Sequence, residues 1–293
     1  KYSVGGELRY RYMDERNRLR PGGPGQSKYQ LWRFTPFLQA NYNDFIGGYV
    51  QAIDASMFGL DAPYTLTPID VNRTDLLQLY AELNFGEVGD GKLKYRYGRQ
   101  FLNYGSQRLL SPLGWGNTYR NFEGHKLMHT SSDWDIDGFA MKSLNGASGS
   151  TNRPYSFDQA DQSRRISGVY STWKGWENNS VDFYYLYFDE SQSSTTLMDG
   201  TRHTIGTRFA GKQPIKEGKT LVGTWNWDVE GAWQFGEDNY GSAAYRDVQA
   251  GMVGAIGGYT FEDVKWKPAV GGIFYWGSGD KDPATGQINT FNV

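Results

Sequence analysis

Bulky and polar side chains alternate along this chain with a period of two, and each set keeps to its own parity for a whole segment at a time. Val4, Leu8, Tyr10 and Tyr12 share one parity, while Glu7, Arg9 and Arg11 hold the other. Trp32, Phe34 and Leu38 oppose Arg33, Thr35 and Gln39, and Leu93, Tyr95 and Tyr97 oppose Lys92, Lys94 and Arg96. The strongest example sets Trp225, Trp227, Val229, Trp233 and Phe235 against Asn226, Asp228, Glu230 and Gln234. An extended chain points successive side chains to opposite faces, so each such run predicts a strand with one bulky and one polar face.

Thirteen strands are predicted, near 3–12, 29–43, 45–54, 75–84, 92–99, 121–130, 134–144, 163–173, 179–190, 201–211, 222–235, 244–258 and 266–277. The connections alternate in length. Met13 to Lys28, Ala55 to Thr74, Gln100 to Arg120 and Asn145 to Gln162 are long, whereas Asn43-Asp44, Phe85 to Gly91 and Ser131-Ser132 are short. The contrast fades after about residue 190. Long loops outside and short turns in the periplasm are the habit of outer-membrane barrels, so the first strand is expected to rise from a periplasmic N-terminus.

Composition supports a barrel over a sandwich. Aromatics make up 16% of the chain and glycine contributes 38 residues, yet mean hydropathy is −0.65. A soluble sandwich core favours Val, Ile and Leu, but here the ends of the bulky parity are Tyr and Trp, which suggests interfacial girdles around strands of ~9–11 residues. No stretch approaches the ~20 apolar residues of a spanning helix, so a bilayer crossing must be made by closed β-structure. Cysteine is absent, which removes disulfides and thiolate chemistry and suits an oxidising envelope compartment. The formal net charge of −2 provides no basic field for nucleic acid. The expected fold is all-β, an antiparallel transmembrane β-barrel of about thirteen strands forming one domain over 1–293, set in the outer-membrane lipid of a Gram-negative-type bacterium. The first residues already read as strand, so the numbering is expected to be that of a mature protein. The thirteenth strand rises into a polar stretch with none returning, and barrels of this kind close on even strand numbers, so further C-terminal strands are expected.

From residue 98 onward the sequence reads Gly98-Arg99-Gln100-Phe101-Leu102-Asn103-Tyr104-Gly105-Ser106-Gln107-Arg108-Leu109, then Trp115-Gly116-Asn117-Thr118-Tyr119-Arg120-Asn121-Phe122-Glu123-Gly124. Gly6-Glu7-Leu8-Arg9-Tyr10-Arg11-Tyr12 and Gly277-Ser278-Gly279-Asp280-Lys281-Asp282-Pro283, followed by Gly286 and Asn289-Thr290-Phe291-Asn292, flank that run. Together these stretches resemble the alginate-export family of outer-membrane porins across the whole chain in order. The chain departs from the family's usual Thr-Phe-Asp-Gly, having Asn121-Phe122-Glu123-Gly124. The resemblance implies an eighteen-stranded barrel that is mainly monomeric. It says less about cargo, since fold transfers better than substrate.

If the aromatic parity faces lipid, the polar parity delivers Glu7, Arg9, Arg11, Arg33, Glu82, Lys92, Lys94, Arg96, Asp135, Asp137, Arg165, Arg202, Arg208, Asp228 and Glu230 to a lumen. The early strands are basic and the eleventh acidic, so a positive wall with a negative patch is expected; rings of Arg and Lys favour anions, and mixed rings orient polar solutes. The competing reading is solvated lumen charge without selectivity. The connection 100–120, with Tyr104, Arg108, Trp115, Tyr119 and Arg120, is expected to fold inward as a constriction or gate, the alternative being an outer loop packed on its neighbours. His125 and His129 are four apart, which on a strand separates them by ~13 Å, too far for one ion. His203 has no carboxylate partner evident in sequence. Asp280 and Asp282 read as an acidic outer loop sooner than a Ca²⁺ site, because the full ligand spacing is missing. No nucleophile context stands out. No metal, cofactor or catalysis is therefore expected. The leading function is a channel for diffusion or export of hydrophilic solutes, with anionic solutes and polysaccharide among the candidates. The alternative is a surface barrel with a closed lumen whose loops bind a partner or matrix polymer.

Overall fold

The computed structural model describes residues 1–17, 24–60, 67, 69–145, 157–192, 199–239, 244–281 and 286–292. Among them there is no helix, and fourteen strands follow one another: β1 (Tyr2–Arg16), β2 (Gln26–Asn41), β3 (Ile46–Phe58), β4 (Asn72–Val88), β5 (Gly91–Gln100), β6 (Phe122–Ser131), β7 (Trp134–Asn145), β8 (Gln159–Trp173), β9 (Asn179–Glu190), β10 (Gly200–Glu217), β11 (Thr220–Asp238), β12 (Arg246–Phe261), β13 (Ala269–Gly277) and β14 (Gln287–Ile288). Strands β1 to β13 form one antiparallel sheet in chain order, and that order ends at β13 without returning to β1. The thirteen expected strands are all present in the expected order.

One expectation holds in part and one needs correcting. The contrast between long and short connections persists through 191–199 and the two-residue turn 218–219, because β10 and β11 run on through polar residues that the alternation does not mark, and it then fades, since 239–245 and 262–268 are equal in length. The stretch after Gly277 is not simply an outer loop, since β14 pairs in parallel with β12, Asp247 opposite Gln287 and Val248 opposite Ile288.

Contacts divide the chain into two compact units, residues 1–86, 94–125 and 141–162 in the first and 87–93, 126–140 and 163–293 in the second. In the first unit β2 shows the sidedness most sharply: Ser27, Tyr29, Leu31, Arg33 and Thr35 are buried while their neighbours are exposed. The exposed set includes Trp32 and Phe34, and in β1 Val4, Leu8, Tyr10 and Tyr12. The bulky parity thus forms a bare aromatic face and the other parity a polar face. The polar face is not wholly polar. Ile53, Ala55 and Leu77 are buried there as a small core, with Phe101 and Tyr119 packed on it.

In the second unit Trp225, Val229 and Trp233 are exposed on β11, whereas Glu230 and Gln234 are buried. Asp182, Tyr184 and Leu186 on β9 are buried on the matching parity. Gly206 on β10 makes this face possible: Tyr184 lies directly across it, and a Cβ there would overlap the Tyr184 ring and hydroxyl.

Backbone shape also requires one glycine at the end of β5. Gly98 has φ +128°, and a Cβ there would overlap the Leu79 carbonyl. We expect Gly98→Ala to destabilise the first unit by ~1–3 kcal/mol. Urea unfolding of the refolded protein in lipid vesicles, followed by Trp fluorescence, measures this, and an unchanged midpoint would contradict it.

Candidate functional site

In the first unit the segment 101–121 lies on the polar face of β1 to β4 as a strap. Its carbonyl groups leave water there, and buried carbonyls must find donors. Arg33 provides several. Its Nη1 donates to the carbonyls of Gly114 (3.1 Å) and Gly116 (2.9 Å), its Nε and Nη2 donate to Glu7 Oε1 (2.9 and 2.6 Å), and its guanidinium lies 4.3 Å from the Tyr119 ring centre. Arg33 is 2% exposed. Arg9 donates through Nη1 to Gly114 (3.0 Å) and through Nη2 to the Gly116 carbonyl, and Arg11 donates to the Trp115 carbonyl at 2.8 Å.

The strap's own anchor is Asn117. Its buried carboxamide donates to the carbonyls of Trp32 (3.1 Å), Ser56 (3.2 Å) and Asp70 (2.9 Å), while the backbone amides of Asn117 and Thr118 both donate to Ile69 (2.9 and 3.0 Å). One side chain therefore ties the strap to β2, to β3 and to the connection after β3. Asn121 makes a further tie, its amide donating to Leu77 at 2.6 Å. Arg99 holds a second connection: it donates to the Leu76 carbonyl (2.7 Å) and the Asp158 carbonyl (2.5 Å) and lies 3.7 Å from both Asp75 and Glu123.

The candidate gating residues separate into roles. Tyr119 is packed between Phe101 and Arg33, and burial raises its phenol pKa, against the pull of Arg33 and Arg9. Arg108 has buried guanidinium nitrogens, Trp115 is exposed, and Tyr104 closes a turn by accepting from Gln107. Arg120 is exposed along its length, yet enough protein surrounds it to lower its pKa by desolvation, and its side chain has no partner among the described residues. It remains a cation.

Further along the polar face, Glu82 accepts from Lys94 Nζ (3.2 Å) and from Arg96 Nε and Nη2 (3.1 and 2.7 Å). Arg96 lies 4.0 Å from the Tyr80 ring centre, and Tyr80, Tyr49 and Phe37 stack across β4, β3 and β2 with centroids 5.2 and 5.5 Å apart. Lys92 is exposed.

The second unit gathers the later candidates. Arg208 donates to Asp182 Oδ2 (2.8 Å) and twice to Asp228 Oδ2 (2.9 and 2.6 Å), Tyr170 donates to Asp182 (2.7 Å), and Tyr184 donates to Glu230 (2.9 Å). Arg202 holds Asp238 (2.9 and 3.0 Å) and the Thr290 carbonyl, and Gln234 exchanges hydrogen bonds with the backbone of Asn292. A second strap, the described part of 278–292, is thereby fastened to this unit's polar face. Lys126 pairs with Asp137 (2.8 Å) and Lys174 with Asp135 (2.8 Å).

Arg165 is the exception among the lumen candidates. The register of β8 and β9 is regular from 164 to 173, so Arg165 shares the parity of exposed Val169 on the aromatic face; Arg164, one residue earlier, is on the polar face and pairs with Glu190 at 2.7 Å. Two adjacent arginines defeat an assignment by parity alone. Residues 282–285, and Asp282 with them, lie outside the described residues. Among the described residues no group of three or more His, Asp or Glu could hold a metal ion. Asn117, Asn121, Arg99, Asp182 and Tyr184 are not marked by alternation, and Gln234 is marked by it only as a polar-parity residue, since each acts on backbone or on a neighbouring strand and nothing in a period-two pattern distinguishes such partners.

A sheet of antiparallel strands with one aromatic and one polar face, the polar one crossed by connecting segments, defines an outer-membrane β-barrel protein. The profile of the family described as Alginate export matches residues 1–293, and the chain belongs to that family. Among solved structures it is similar to in-vitro folded OmpT, an outer membrane protein of Vibrio cholerae in a trimer form, at 11% identity over 100% of this chain and 95% of that one, with a TM-score of 0.39. It is similar too to the loop L8 deletion mutant of that protein, at 11% identity over 94% and 99% of the two chains and a TM-score of 0.38. No curated protein matches. Family membership puts the protein in the outer membrane of a Gram-negative bacterium, in an export or channel role.

Asn117→Ala leaves three carbonyls without their donor, and we expect it to lower stability by ~1–3 kcal/mol and to open a protease site within 101–121. Limited proteolysis of the folded protein reads the second effect, and a strap that stays resistant would contradict it. Arg208→Leu leaves Asp182 as a buried charge without its cation, so a loss of ~3–5 kcal/mol is expected in the same urea assay.

Proposed function

We propose that the protein is a passive, monomeric channel for hydrophilic anions, with acidic saccharides in the solute class, and that the strap 101–121 narrows its path. The observation that carries this reading is the anchoring of the strap by Arg33 and Arg9. Those two cations are occupied by loop carbonyls, so they set the strap's position, and the charge offered to a solute falls instead to Arg120 on the strap and to Lys94 and Arg96 on the wall. Lys94 and Arg96 share the single carboxylate of Glu82, which leaves that patch with one positive charge in excess. Cations of this kind attract and orient anionic solutes without binding them tightly enough to halt passage. The acidic group Asp182, Asp228 and Glu230, with one arginine, supports the expectation of a negative patch elsewhere on the polar face. The solute is moved and not transformed, so this reading needs no catalytic group.

Single-channel current across a planar bilayer under a KCl gradient tests it. The expected result is a clear conductance with anion preference, block by an acidic oligosaccharide, and a reversal potential shifted toward cation preference in Arg120→Glu. Normal anion preference in that variant would remove Arg120 from the path. A silent bilayer from folded protein would favour a surface barrel that binds a partner through its loops.

A further inference from the structure

Two histidines stand in one repeated setting on the aromatic face. His125 is the fourth residue of β6 and His203 the fourth residue of β10, and each strand begins where a long connection, 101–121 or 191–199, ends. Each faces a Tyr-x-Tyr pair on the preceding strand, Tyr95 and Tyr97 in one case and Tyr185 and Tyr187 in the other. The Tyr95 hydroxyl lies 2.6 Å from His125 Nδ1, and the Tyr185 hydroxyl 2.7 Å from His203 Nδ1. The second tyrosine packs on the ring, at 4.7 Å for Tyr97 and 5.0 Å for Tyr187, and Phe235 stacks on His203 at 4.9 Å.

An imidazole nitrogen is a better acceptor than a phenol oxygen, so we assign the hydroxyl as donor to Nδ1, which leaves the ring proton on Nε2. Neither Nε2 has a partner among the described residues. A fixed N–H donor on a face that meets lipid is costly at acyl depth but finds acceptors at the headgroup level. Strand ends next to long connections lie at the outer leaflet, where Tyr-rich girdles sit. In the second unit Arg165 adds a cation on the same face. In register it stands across from Asp189, two residues closer to the strand end than the Ser167–Tyr187 pair, and Tyr187 in turn faces His203.

From this we propose that the two Tyr–His–Tyr clusters are headgroup sites for a phosphorylated outer-leaflet lipid, each receiving a phosphoryl oxygen on the imidazole Nε2–H. Native mass spectrometry of the full chain in detergent, titrated with bis-phosphorylated lipid A and with the same lipid dephosphorylated, tests it. Wild type is expected to retain two phosphorylated lipids through delipidation, His125→Phe and His203→Phe one each, and the double Phe variant no more than the dephosphorylated control. His125→Gln/His203→Gln keeps an N–H donor in the Nε2 position and is expected to keep retention. Wild-type retention by the double Phe variant, or equal retention of the dephosphorylated lipid by wild type, overturns the proposal. If the double Phe variant does not fold, Tyr95→Phe/Tyr185→Phe decides, because it frees the imidazoles without removing them: lowered retention supports the sites and unchanged retention overturns them.

Discussion

The arrangement of the first unit depends on one requirement, that the carbonyls of residues 114 and 116 find donors once the strap has left water. A connection that crosses the polar face loses solvent on one side, and unanswered buried carbonyls would push it back out. Arg33 answers both carbonyls while its other nitrogens hold Glu7, and Asn117 reverses the relation by sending the strap's donors into the carbonyls of β2 and β3. Tyr119 then covers Ile53, Ala55 and Leu77. Those apolar side chains on the mainly polar parity are covered by the strap. Sheet and strap therefore account for one another.

The same device recurs in the second unit with different chemistry. There Gln234 and Arg202 fasten 290–292, and β14 extends the tie through backbone pairing with β12. In both units the most buried arginines serve geometry: Arg33, Arg99 and Arg202 direct guanidinium donors at carbonyls and carboxylates of the protein. Removing a partner from such a network leaves a buried charge, which is why these positions are expected to govern stability and strap position more than selectivity. Charges that keep water contact, such as Arg120 and Lys94, are better suited to act on a passing solute.

Alternation alone made much of the protein legible. Because a strand's side chains alternate strictly, the run from Trp225 to Phe235 announces both a strand and its two faces, and long connections between tight turns announce antiparallel neighbours in chain order. The aromatic composition of the outward parity pointed to lipid. Local pattern by itself thus determined the element order, the sidedness and the membrane class. What only the tertiary structure decided was which polar residues meet. Asn117 reaches carbonyls at Trp32, Ser56 and Asp70, and Arg9 reaches Gly114, across sequence distances over which a period of two carries no information. Arg164 and Arg165 are identical to any pattern, and only the register sends one to Glu190 and the other to the aromatic face. The physical reason is that periodicity is a property of a strand's own backbone, whereas a hydrogen bond to a strap is a property of two distant segments brought together by the fold.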